Sequence, residues 1–283
     1  MRHIIRSPLK WAGGKSRIIE HLRQHLPGGP KLVEPFVGSG VVFLNTDYDR
    51  YLLADINPDL INFFTVLKHE KSRFIDFASQ WFSPSTNCAK AYYDLREAFN
   101  QTTDARLRAA LFLYLNRHGY NGLCRYNASG RFNVPFGRYA RPYFPAREME
   151  LFALKAQRAD FVQEDFRKLG RRLRKGHHVY CDPPYVPLSA TAYFTRYATQ
   201  DFGPGCQQDL AKMAQSWASR GVRVVISNHD NAVTRSLYRD ALIESFHVSR
   251  FISCQGARRQ PVKELIARYE PIVETSAYKI RQI

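Results

Sequence analysis

Short apolar blocks recur along the chain, and their spacing predicts strands alternating with helices. Lys31 to Phe36 reads as a short buried strand running into a glycine turn, Tyr51 to Ile56 as a second strand, and Pro58 to His69 as a helix opened by its proline. The pattern returns late in the chain, with Val179-Tyr180-Cys181 as a strand, Gln207 to Ser219 as an amphipathic helix and Val222 to Ser227 as a nearly continuous β-branched strand. Strands alternating with helices imply an α/β fold with a parallel, helix-covered sheet. An amphipathic helix from Ser16 to Leu26 is expected near the amino end. Between the two halves the alternation breaks: helical segments at Ala89–Asn100 and Ala105–Asn116 give way to a stretch rich in Gly, Asn, Pro and Arg that lasts to about Pro145. Residues 1–56 and 145–283 therefore read as one α/β domain, and residues 57–144 as an insertion.

Composition adds a partner to this picture. With 45% hydrophobic and 13% aromatic residues over 283 positions the chain has ample core, while 42 Lys and Arg against 25 Asp and Glu give a net charge of +17 and point to a polyanion. From Ala105 through Arg147 there are eight arginines, nine aromatics and no Asp, Glu or Lys. Arginine forks suit phosphates and guanine edges, and flat rings suit base stacking, so this stretch fits nucleic acid better than membrane. No apolar run reaches membrane-spanning length, and the first residues do not read as a secretory leader, so a cytoplasmic protein is expected. The five cysteines form neither a C-x-x-C nor a Cys/His cluster, which suggests reduced thiols and no metal site.

Three motifs carry chemistry. Glu34-Pro35-Phe36-Val37-Gly38-Ser39-Gly40 places glycines where a strand hands over to a helix, and Asp55 closes the next strand, where a carboxylate can take both hydroxyls of a ribose. Together they suggest a nucleoside-containing cofactor, without a phosphate-binding signature. Lys10-Trp11-Ala12-Gly13-Gly14-Lys15 is a Gly-Gly turn before a helix, suited to a carboxylate, with Trp11 able to cover an adenine or sulfonium face. The sharpest signal is Asp182-Pro183-Pro184-Tyr185 at the carboxyl end of a strand. It offers a carboxylate, an outward carbonyl and an aromatic face, which could take the two hydrogens of a target amino group and stack its ring, freeing the nitrogen lone pair for attack.

Glycine motif, ribose acid, arginine-rich insertion and Asp-Pro-Pro-Tyr, in that order along the chain, resemble the Dam family of DNA adenine methyltransferases, and its enterobacterial members closely. Further matching segments are Tyr120-Asn121-Gly122-Leu123-Cys124-Arg125-Tyr126-Asn127, Phe132-Asn133-Val134-Pro135-Phe136-Gly137-Arg138-Tyr139 and Ile226-Ser227-Asn228-His229-Asp230. The resemblance implies a Rossmann-like methyltransferase sheet with an inserted, largely helical DNA-recognition domain carrying a β-hairpin. It also implies S-adenosylmethionine as cofactor, methylation of the adenine amino group in double-stranded GATC with base flipping, and no obligatory protein partner; a part in replication and mismatch repair and one beside a restriction nuclease are both compatible with it.

By the same resemblance Asp182, Pro183, Pro184 and Tyr185 are catalytic. Trp11, Ala12, Gly13, Gly14, Lys15, Glu34, Pro35, Phe36, Gly38, Gly40, Asp55, Ile56 and Asp182 bind the cofactor. Tyr120 and Asn121 enter the duplex near the flipped adenine; Lys10, Leu123, Arg125 and Pro135 read bases; Arg96, Arg117, Asn127 and Arg138 meet phosphates; Asn133 joins the DNA-binding set. Three places depart from the family pattern: the loop Ser253 to Arg259, the basic run Arg167 to Lys175, and His118, where an aromatic is expected. Two other readings are a non-catalytic DNA-binding module, which the intact Asp182, Gly38 and Gly40 oppose, and an adenine methyltransferase of different sequence specificity. Asn-Pro-Pro-Tyr enzymes acting on glutamine amides or cytosine amino groups are opposed by Asp182, and methylation at cytosine carbon 5 by the absence of a Pro-Cys pair.

Overall fold

The computed structural model describes residues 3–186, 202–248 and 262–271, so the Ser253 to Arg259 loop lies outside the described residues. The chain forms two compact units, Met1–Phe166 and Arg167–Ile283.

The first unit carries three parallel strands in the order β3 (Ala159–Gln163), β2 (Tyr48–Asp55), β1 (Gly29–Glu34). Tyr51 to Ala54 in β2 are all buried, as a central parallel strand covered on both faces requires. Helix α1 (Ile19–His25) follows a separate 3-10 turn at Lys15–Arg17, so the single helix expected over Ser16–Leu26 is broken at Ile18. The break has a local cause: Lys15 is buried with its ammonium on the Gly13 carbonyl (2.7 Å), which holds the first turn to the glycine loop. After β1 comes α2 (Val41–Asn45), and after β2 comes α3 (Pro58–Glu70), capped by the Asn57 side chain, which accepts from the N–H groups of Asp59 and Leu60. Helix α4 (Ser72–Ser79), α5 (Ala89–Gln101) and α6 (Ala105–His118) follow. Helix α3 packs on α6 and on α7 (Ala146–Ala156), an element the hydrophobic pattern does not signal. Phe63, Phe64, Phe74, Phe99 and Phe112 are fully buried among these helices.

The second unit begins in a basic 3-10 stretch and contains β4 (His178–Cys181), α8 (Pro204–Ser219), β5 (Arg223–His229), the short helix α9 (Ala232–Leu237), β6 (Leu242–Val248) and β7 (Val262–Tyr269). Strand β4 pairs in parallel with β5, and β7 runs antiparallel between β5 and β6. The sheet is therefore mixed rather than wholly parallel. Its antiparallel pair escapes the sequence pattern because β6 has only exposed and half-buried residues, as an edge strand does. The α/β class expected from the pattern, and the Rossmann-like sheet the resemblance implies, are the fold adopted.

Candidate active site and nucleic-acid interface

In the first unit the glycine loop, the N-terminal loop and Asp55 come together. Gly38 and Gly40 both have left-handed φ, +48° and +71°. A β-carbon on Gly38 would lie 3.0 Å from the Trp11 indole nitrogen, so only glycine lets the indole rest on the loop. The Trp11–Gly14 turn is closed by a backbone bond of 3.3 Å, and Ser7 Oγ donates to the Ser39 carbonyl at 2.6 Å. Asp55, at the carboxyl end of β2, accepts from the N–H of Gly38 on one oxygen (3.2 Å) and of Asn57 on the other (3.0 Å). Burial raises its pKa and these backbone donors oppose the rise. Ile56 beside it is 58% exposed, a large apolar side chain presented to solvent at a polar site. Ala12, Gly13 and Gly14 are exposed, Phe36 is half-buried 5.4 Å from the Phe166 ring, and Glu34, Pro35 and Lys15 are buried.

The expected hairpin is present between Gly119 and Gly137, held by antiparallel bridges Gly119–Phe136 and Tyr126–Phe132. At its tip the Asn127 carboxamide oxygen accepts from the N–H groups of Ser129 (3.1 Å) and Arg131 (2.9 Å), an Asx-type cap. Asn121 is left-handed (φ 53°) and donates its N–H to the Tyr139 hydroxyl (3.0 Å); Tyr120 is 48% and Leu123 37% exposed, although both are large and apolar. The Lys10 ammonium lies over the Tyr139 ring at 4.0 Å, and burial together with Arg117 lowers its pKa. Arg125 is exposed and gripped by Asn133, its Nε on the Asn133 side-chain oxygen (2.8 Å) and Nη2 on the carbonyl (3.3 Å). Pro135 and Arg138 are exposed, and Arg96 donates to the Val134 carbonyl at 3.1 Å.

Several basic residues already have partners within the chain, some buried and some at the surface. Arg117 is 8% exposed and donates through Nε to the Pro8 carbonyl at 3.0 Å, with a second contact from Nη2. Arg108 pairs with buried Asp59, Arg106 with Glu70 (2.7 Å) and Arg131 with Glu97 (2.6 Å). His118 is a core residue, 1% exposed and stacked on Tyr114 at 4.0 Å; burial lowers its pKa to about 4, so it is neutral at physiological pH. All six cations of the Arg167 to Lys175 run are exposed, with Leu169 and Leu173 buried beneath them. Sequence reasoning missed Asn116, 2% exposed, which binds both backbone groups of Lys10 (2.8 and 2.7 Å) and the Gly122 carbonyl (3.3 Å). Its signal is a single carboxamide closing the apolar run Ala109 to Leu115.

In the second unit Asp182 follows the carboxyl end of β4. Ser227 Oγ donates to its Oδ1 at 3.1 Å. Pro183 is buried and Pro184 exposed, with the Pro184 carbonyl taken by Gln207 Nε2 (2.7 Å). No hydrogen bond to the Pro183 carbonyl occurs among the described residues. Tyr185 donates its hydroxyl to Glu264 (3.1 Å) and meets the His229 ring edge-on at 4.9 Å. Burial and the neighbouring charges of Asp182 and Glu264 raise its pKa well above the ordinary phenol value, which keeps that proton in place. Cys181 is fully buried with its thiol pushed upward, so it is no nucleophile.

A strand-end carboxylate, a rigid proline pair and an aromatic stand together here, groups of the kind that suit a target amino group and so the class of amino-methyltransferases. Residues 11–251 match the family model of the D12 class N6 adenine-specific DNA methyltransferases, and the chain belongs to that family. It is 52% identical over 273 residues to the DNA adenine methylase of Vibrio cholerae, covering 96% of this chain and 99% of the relative. The DNA adenine methylases of Salmonella typhi and Escherichia coli K12 are 52% and 51% identical over 274 residues, covering 97% of this chain and 99% of each relative. The protein is thus an adenine-specific DNA methyltransferase.

Proposed function

We propose that the protein transfers a methyl group from S-adenosylmethionine to the exocyclic amino group of adenine in double-stranded GATC sites, with the target base turned out of the duplex, in the bacterial cytoplasm or nucleoid. The observation that carries this reading is the arrangement at Asp182-Pro183-Pro184-Tyr185, where Gln207 takes the Pro184 carbonyl and, among the described residues, no hydrogen bond reaches the Pro183 carbonyl. Asp182 and the Pro183 carbonyl would each accept one hydrogen of the adenine amino group, and the Tyr185 ring would stack its base. Holding both hydrogens draws the nitrogen from planar toward tetrahedral, so its lone pair leaves conjugation with the ring. The Asp182 carboxylate offsets the positive charge the nitrogen gains on attack and is suited to take its proton.

The residues of the first unit fit the cofactor. A carboxylate with one backbone donor on each oxygen is oriented for ribose hydroxyls, and the exposed Ile56 next to it fits a purine face. Trp11, Ala12, Gly13, Gly14, Lys15, Glu34, Pro35, Phe36, Gly38 and Gly40 would complete that binding surface. Bound S-adenosylmethionine supplies a methyl group on a sulfonium, an electrophile that a neutral amine can attack.

Residues 57–144 are assigned to DNA recognition on a methyltransferase domain of residues 1–56 and 145–283. Lys10, Leu123, Arg125 and Pro135 read bases, while Arg96, Asn127 and Arg138 meet phosphates. Tyr120 and Asn121 fill the space of the flipped base, whose removal from the stack costs a few kcal/mol. The experiment is DNA from cells expressing the protein, challenged with paired nucleases that cut GATC only when methylated or only when unmethylated. Resistance to the second and sensitivity to the first is expected; the reverse pattern overturns the specificity.

A further inference from the structure

We infer that Ser227 and Glu264 are positioning residues for the reaction, Ser227 fixing the carboxylate of Asp182 and Glu264 fixing the ring of Tyr185; this rests on the proposed methyl transfer at that motif. Both lie on the sheet beneath the motif. Strand β5 pairs with β7 so that His229 stands opposite Glu264. Side chains alternate along a strand, so Ser227 and His229, two apart, share one face with Glu264. On that face Ser227 reaches Asp182 (3.1 Å), His229 meets the Tyr185 ring (4.9 Å) and Glu264 takes the Tyr185 hydroxyl (3.1 Å). One sheet face thus holds both ends of the motif.

The direction of these hydrogen bonds follows from the groups themselves. An ionised carboxylate only accepts, so the single Ser227 proton goes to Asp182 Oδ1. Ser227 Oγ then accepts from the Tyr180 hydroxyl, 2.9 Å away. Ser227 also bonds the Tyr185 hydroxyl, so Tyr180, Tyr185 and Asp182 meet at one serine, and Ser227 holds the carboxylate within that network. Ser227 is fully buried and Tyr180 is 1% exposed, so water does not compete for these bonds. Glu264 is 6% exposed, an acidic side chain immediately before the run Leu265 to Ala267, all fully buried. A carboxylate there needs a donor, and the Tyr185 hydroxyl is one. An aromatic held at its edge by His229 and at its tip by Glu264 keeps one ring plane on which a base can stack. A target amine therefore meets acceptors and a stacking face already oriented.

The test uses the full chain with a GATC duplex carrying 2-aminopurine at the target adenine, which brightens when the base leaves the stack, alongside single-turnover methylation of the unmodified duplex. Ser227→Ala should lower the single-turnover rate about 10- to 100-fold, the loss of one hydrogen bond to a charged group. It should leave duplex affinity and the 2-aminopurine signal unchanged, and Tyr180→Phe should give a smaller drop of the same kind. Glu264→Leu should change the 2-aminopurine signal as well as the rate, because a loosened ring stacks differently, whereas Glu264→Gln keeps an acceptor and should stay within about threefold of wild type. Wild-type protein that fails to methylate the duplex refutes the proposed reaction itself. An active wild type with Ser227→Ala at full single-turnover rate, or with Glu264→Leu and Glu264→Gln equally impaired, refutes the positioning roles alone.

Discussion

Replacing Asn116 by leucine tests whether the N-terminal loop and the hairpin are set by one buried side chain. Asn116 accepts from the Lys10 N–H at 2.8 Å and donates to the Lys10 carbonyl at 2.7 Å and the Gly122 carbonyl at 3.3 Å. Gly122 has φ +62° and lies so close to the Lys10 side chain that a β-carbon there would collide with it, so the two backbones can be joined only in this geometry. Leucine is close in size and removes all three bonds while leaving their backbone partners in a site that is 2% exposed. At about 1 kcal/mol for each of the three bonds lost, plus part of the cost of leaving the partners unsatisfied, the unfolding free energy should fall by about 3–5 kcal/mol. A urea titration followed by circular dichroism measures it. The same variant should lose discrimination against duplexes altered at one guanine, because Lys10 and the Tyr120–Leu123 turn lose their common anchor. An unfolding midpoint equal to that of wild type refutes the stability argument, and unchanged discrimination in a destabilised variant refutes the link to recognition.

What the sequence discloses here depends on whether a signal is local. The strand-to-glycine handover at Glu34 to Gly40, the proline-started helix after Asp55 and the Asp182 motif are each written in consecutive residues, and the structure has the strands and helix turns where the pattern puts them. Strands β3 and β6 and helix α7 carry no comparable local mark, since their burial comes from partners far away in the chain. The arginine-rich stretch is the clearest limit. Its lack of acids suggests a surface reserved for phosphate, yet Arg108 finds Asp59, Arg106 finds Glu70 and Arg131 finds Glu97, all acids supplied from outside the stretch. Composition counts charges within a window, whereas neutralisation is decided in three dimensions. Ser227 and Glu264 were illegible for the same reason: neither residue type is unusual in a strand, and their meaning comes from the register of β5 against β7.

The fall in His118 pKa to about 4 means that the unfolded chain binds a proton the folded one refuses. Stability should therefore drop as pH falls from about 6.5 through about 4, by roughly 2–4 kcal/mol, and His118→Phe should lack that share of the loss in urea midpoints taken across the range. Asp182→Ala should abolish methylation in a tritium-transfer assay while binding the duplex normally, since no basic residue is removed; near-normal turnover would refute the assigned role. Duplex affinity should fall steeply between low and physiological salt, as arginine contacts release counterions, and a flat response would show that the net charge of +17 is not the DNA footprint. The last prediction separates two arginines of one basic stretch. Asn133 occupies the Nε and Nη2 side of the Arg125 guanidinium, which leaves the terminal edge between Nη1 and Nη2 for a partner. That edge is a two-donor fork of the kind that pairs with the two acceptors of a guanine, worth about 1–3 kcal/mol of discrimination. Arg138 has no such brace: it is exposed, at φ 55°, and makes no ion pair among the described residues, which suits a phosphate. Arg125→Ala should accordingly raise methylation of duplexes altered at one guanine relative to GATC, and Asn133→Ala should do so in part by releasing the fork. Arg138→Ala should weaken all duplexes about equally and reduce the salt slope by roughly one phosphate contact. Turnover on GATC and on each singly altered site decides between them: discrimination that survives Arg125→Ala would remove that residue from the readout, and a discrimination loss in Arg138→Ala would make it a base contact instead.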